Sequence, residues 1–144
     1  MIKIMSHPVY SKTIKEKVKD LILNNVSKNS NILETVSNRF KNDKDVVLAA
    51  VNHNGLTLEY ASDELKNDKD VVLAAIKHNG LALKYASDEL KNDKDVVLAA
   101  VKHENNELIE YLKNNTKFDN FFWNKNMIAS ILNTVVLKKI HDFE

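Results

Sequence analysis

Cysteine is absent from the 144 residues. Its absence excludes disulfides, thiol nucleophiles and zinc clusters of the cysteine type. Proline occurs once and glycine twice, too few for the many tight turns of an all-β chain of this size, so composition alone favours helix. Arg39 is the sole arginine among 21 basic residues, so the side chain best suited to bidentate phosphate contacts is nearly missing. No apolar run approaches the roughly 18 residues of a membrane span, and the first residues lack a signal-peptide core. These features lead to the expectation of an intracellular or cytoplasmic protein with no membrane contact.

What remains is an ordinary globular composition, with 44% apolar and 28% charged residues and a net charge of +1. That is enough for one hydrophobic core in a single domain. Self-similarity then organises the chain. Lys41–Leu65 and Lys66–Leu90 are one 25-residue sequence with four differences: Val51/Ile76, Asn52/Lys77, Thr57/Ala82 and Glu59/Lys84. A third copy begins at Lys91 and holds through His103. A worn copy lies upstream, where Val26 aligns with Val51 and Leu33 with Leu58. The expected organisation is an N-terminal cap over 1–15, a degenerate repeat over 16–40, full repeats over 41–65 and 66–90, a partial repeat over 91–112 and a C-terminal cap over 113–144.

Within a unit, Asp43 and Asp45 bracket the start of the apolar run from Val46 to Val51, as an N-cap and a first-turn acid would. A first helix should start there and end at His53–Asn54–Gly55. Gly55 and Gly80 are expected in the left-handed conformation that closes many helices. Leu58, Ala61 and Leu65 then give one face of a second helix over about Leu56–Lys66. The rival reading makes the apolar run a strand, as in leucine-rich repeats. The Ala49–Ala50 pair and the acidic cap favour helix.

A helix apolar nearly all round must be sandwiched by its neighbours. The fold class is therefore all-α, a short α-solenoid of tandem helix-turn-helix repeats with N- and C-terminal capping helices. Ile14, Val18, Leu21, Ile22 and Val26 form an apolar stripe suited to capping one end. Ile128, Ile131, Leu132, Val135 and Val136, preceded by Phe118, Phe121, Phe122 and Trp123, are suited to the other.

The run from Asp43 to Leu65 resembles a helical repeat family known as domain of unknown function 4116. The resemblance is specific over residues 41–103, weak over 16–40 and 104–112, and absent from both ends. The family is found in large DNA viruses of amoebae, protists and some bacteria. A lysine-rich, arginine-poor, asparagine-rich composition fits such an AT-rich source. The family carries no assigned activity, so the resemblance implies a fold and no site residue.

His53, His78 and His103 recur at one place in each unit. Neighbouring repeats sit about 10 Å apart, too far for imidazoles to share a metal with ligand bonds of about 2 Å. Each histidine reads more simply as a cation at a helix C-terminus. Ser62–Asp63–Glu64 and Ser87–Asp88–Glu89 supply hydrolase residue types, but their spacing builds no nucleophile, base and orienter. No phosphate-binding glycine loop occurs. No catalytic residue, cofactor or metal is therefore expected. The first full unit sets two lysines against five acids, which repels a phosphate chain. A non-enzymatic protein-interaction scaffold leads, with Lys77, Lys84, Lys102 and the three histidines as partner-binding candidates. A structural or assembly role, as in a large DNA virus, is the alternative, and weak single-stranded nucleic-acid binding the second. Homo-oligomerisation stays open.

Overall fold

The structure, a computed structural model, describes residues 8–103 and 106–114 and the isolated position 133, with backbone alone for 8–12, 106, 109 and 113. The expected C-terminal cap lies outside these residues beyond Asn114. Every regular element among the described residues is helical, so the apolar run is helix and the strand alternative falls. The order is α1 (Pro8–Val26), α2 (Ile32–Thr35), α3 (Asn38–Lys41), α4 (Lys44–His53), a 3-10 helix η1 (Gly55–Tyr60), α5 (Asp63–Lys66), α6 (Lys69–His78), η2 (Gly80–Tyr85), α7 (Asp88–Lys91), α8 (Lys94–Val101) and α9 (Asn106–Asn114).

The helices α4, α6 and α8 each begin where an aspartate dictates. The carboxylate of Asp43 accepts from the backbone N–H groups of Asp45 and Val46, satisfying two of the four donors that a helix start leaves open. Asp68 and Asp93 repeat the bond for α6 and α8. The helix ends at Asn54, whose extended backbone (φ −147°, ψ 108°) breaks the helical path while its side chain accepts from Leu56 N–H and starts η1. One residue thus closes one helix and opens the next.

Two expectations need correction here. Neither Gly55 nor Gly80 lies in the left-handed region; both are buried because the next repeat passes against them. A Cβ on Gly55 would strike the carbonyl oxygen of Ala75, and one on Gly80 would lie 2.6 Å from that of Ala100. The second helix, moreover, is not continuous. η1 stops at Ala61 (φ −67°, ψ 158°), and the Ser62 hydroxyl, accepting from Leu65 N–H, caps a separate turn, α5.

Each full unit is therefore a long α-helix, a 3-10 helix and a one-turn helix. Units stack in two layers: α1, α4, α6 and α8 pack in chain order, and α2, η1, η2 and α9 line the other side. Val46, Val47, Ala50, Val51, Leu58 and Leu65, with their copies, form one continuous core. In the worn unit Val26, Leu33 and Phe40 are buried in the corresponding places. Thr57 is buried where Ala82 follows in the next unit, and its hydroxyl donates to Asn54 O at 2.7 Å, so the exchange strands no polar atom.

At the N-terminal end the expected apolar stripe turns only partly inward. Val26 is buried and Ile22 packs against the core, but Ile14, Val18 and Leu21 are exposed.

Candidate functional surface

The first turns of α4, α6 and α8 are tied one to the next, and that of α4 is tied to Lys19 within α1. The ammonium of Lys19 lies 3.0 Å from Asp43 and 2.7 Å from Asp45. Lys44 repeats this with Asp68 (2.7 Å) and Asp70 (3.5 Å), and Lys69 with Asp93 (2.8 Å) and Asp95 (3.3 Å). Bonding to Asp68 raises the Lys44 pKa, and bonding to Asp93 raises that of Lys69. In return the Lys44 and Lys69 ammoniums lower the carboxyls of Asp68 and Asp93, helped by the backbone N–H groups these cap. In the sequence these aspartates read as caps and first-turn acids alone. The missed signal was the repeated Lys-Asp pair, whose lysine at 19, 44 and 69 serves the unit after its own.

A second row ties the one-turn helices together. Ser62 N–H donates to Lys41 O and Ser87 N–H to Lys66 O, each at 2.9 Å. The Ser62 and Ser87 hydroxyls donate to Asn42 and Asn67 Oδ1. These serines, weighed for hydrolytic chemistry, are thus bonded to asparagine and backbone groups rather than to a histidine.

At the opposite ends of the long helices, Asn52, Lys77 and Lys102 form one exposed row and His53, His78 and His103 another. None of the six makes a side-chain hydrogen bond or ion pair among the described residues. Lys84 is different. It is half-buried, 3.0 Å from Glu107 and 5.7 Å from the centroid of the Tyr111 ring, so its charge holds α9 against the stack. Five of the six expected partner-contact residues are therefore exposed and without a bond among the described residues, and one serves the fold. No group of three or more histidine, aspartate or glutamate side chains among the described residues could hold a metal ion.

The first step of the stack opens a recess of about 700 Å³ whose lining includes Arg39, Lys41, Tyr60, Asp63 and Glu64. The charge of Glu34 raises the Tyr60 pKa, reinforced by desolvation. Arg39 itself lies over the Phe40 ring, 5.3 Å from its centroid.

An all-helical array with a fixed 25-residue step, in which each unit bonds the next through the same side chains, defines a helical repeat protein. Three overlapping segments, residues 19–66, 43–87 and 68–117, match the family described as Domain of unknown function (DUF4116). Together they cover well over half of the chain, which belongs to that family. No curated protein and no solved structure matches it. No helix among the described residues is long and apolar enough to cross a membrane.

Proposed function

We propose that the chain is a non-catalytic scaffold that binds a protein partner along the exposed ends of its long helices. The observation that carries this reading is the division of labour among its polar side chains. Lys19, Lys44, Lys69 and Lys84 are spent on joining units. His53, Lys77 and His78 lie in the last turns of α4 and α6, and Lys102 and His103 just past the end of α8; they recur at a fixed step and bond to nothing among the described residues. Indexed, uncommitted side chains on a stiff array are what an extended recognition surface requires. An intracellular setting accords with the cysteine-free composition.

The test immobilises the full chain as bait in extract of its native host, beside a Lys77→Glu/Lys102→Glu variant. Both should fold alike, the variant melting only a few degrees lower, because the replaced side chains lie in water and only a favourable charge at each helix end is lost. A defined set of proteins retained by the natural chain should fall about fivefold or more on the variant, since charge reversal at a contact costs about 1 kcal/mol or more. Equal retention on both, or none on either, overturns the proposal.

A further inference from the structure

The first helix departs from the other long helices at one position. Val18 stands where Asp43, Asp68 and Asp93 cap α4, α6 and α8. With no capping side chain, α1 does not break there. It runs on toward its N-terminus for the eleven residues Pro8–Val18, about 16 Å beyond the turn at which its neighbours begin. From Lys19 onward it is seated, by the pairing with Asp43 and Asp45 and by packing of Ile22, Leu23 and Val26.

The overhang and the turn after it carry the three exposed large apolar side chains recorded among the described residues, Ile14 (44% exposed), Val18 (39%) and Leu21 (62%). Their spacing of four and three places them within about 60° of helical arc, the width of an a/d seam rather than of a face that lies in lipid. Asn25, next in the same register, is also exposed. Exposed Lys15 and Lys17 flank the seam on either side, and Glu16 and Asp20 lie across the helix from it.

We propose that this seam receives an amphipathic helix of a partner protein, with apolar residues at its own a and d positions and acidic residues at its flanks. The apolar stripe supplies burial and the two lysines supply selectivity, as charges beside a coiled-coil seam do. A second copy of this chain fits less well, because it would bring the same basic flanks into one seam. The inference rests on the scaffold reading, and it adds a second surface with a partner of stated chemistry.

The test uses the full chain and two labelled synthetic helices with leucine at a and d, one carrying glutamate and the other lysine at e and g. Binding is followed by fluorescence anisotropy. The acidic helix should bind, and the basic one about tenfold or more weaker. Leu21→Glu and Val18→Glu should each weaken the acidic helix by about tenfold or more. Circular dichroism melts should be unchanged, since these side chains already face water. Lys15→Glu/Lys17→Glu should reverse the preference between the two helices. Equal binding of both helices, no binding of either, or unchanged binding by Leu21→Glu overturns the inference. So does a dimer in sedimentation that Leu21→Glu dissolves, or adsorption to phosphatidylserine vesicles in preference to the acidic helix. Failure here with Lys77- and Lys102-dependent retention intact would remove the seam and leave the scaffold standing. Peptide binding without that retention would do the opposite.

Discussion

The backbone of Gly80 passes so close to that of Ala100 that a Cβ on the glycine would lie 2.6 Å from the alanine's carbonyl oxygen. His103 Cβ and Leu108 Cδ2 close the remaining space at 3.2 and 3.3 Å. The glycine is therefore a spacer between units, and the length of the repeat step depends on it.

Gly80→Ala should cost about 1–3 kcal/mol, because any Cβ forces the η2–α8 contact apart. An alanine at a relaxed position would instead stabilise by up to about 1 kcal/mol. Gly80→Asn separates this cause from left-handed backbone. Asparagine tolerates that conformation and would outperform alanine if φ were the reason, whereas a clash makes it no better. Urea denaturation of the three chains decides the matter.

The stack was legible because it is written in local rules. The 25-residue period and the Asp43, Asp68 and Asp93 caps come from residues within one turn of what they control. The break in the second helix was written too, in Ser62 followed by two acids ahead of Leu65, which is a helix start of its own. The spacing of Leu58, Ala61 and Leu65 concealed it, because a 3-10 turn and a capped α turn can carry one apolar face between them. The role of the glycines was not legible, since it depends on a carbonyl 20 residues away in sequence. Nor was the fate of Lys84, whose partner Glu107 lies in the partial repeat beyond His103, where the copy no longer holds.

Stability should fall on acidification in a window set by the carboxylates that join units. The Asp68 and Asp93 carboxyls sit below their ordinary value of 3.8, chiefly through the Lys44 and Lys69 ammoniums. A group whose folded pKa is depressed contributes fully above its unfolded value and loses that contribution as pH falls through the folded one. The urea midpoint should therefore drop below about pH 4, and more gradually in an Asp68→Asn/Asp93→Asn chain, which has less to lose. At the alkaline end the sign is opposite. Lys44 and Lys69 are raised above 10.5 by the same pairs, so that contribution is complete below 10.5 and fades as pH climbs through the higher folded value. Parallel acid limbs in the two chains would contradict the assignment.

Single-stranded nucleic acid should bind poorly. The recurring lysines Lys19, Lys44 and Lys69 are each held between two aspartates, so a phosphate would have to displace carboxylates to reach them. Titration with single-stranded RNA and DNA oligonucleotides should show at most weak binding at low salt, vanishing by about 0.15 M. Micromolar affinity that persists at that salt would assign the exposed lysine row to phosphate recognition.

Lys84 shows how one exchange between near-identical copies can be dictated by a neighbour. Glu59 holds its place in the preceding unit, and a glutamate at 84 would stand against Glu107 and withdraw the cation from the Tyr111 ring. The ion pair is partly exposed and worth at most about 1 kcal/mol, and a cation over an aromatic ring adds a similar amount. Lys84→Glu should therefore loosen the contact between η2 and α9 by about 1–2 kcal/mol and leave the α4–α6 contact unchanged. Hydrogen exchange of the backbone amides reads both regions in one experiment. Faster exchange confined to 106–114 is the expected result, and a Glu107→Lys partner change should restore protection by re-forming the pair with its signs reversed. Uniform acceleration along the chain, or none, would show that Lys84 does not hold the last described helix in place.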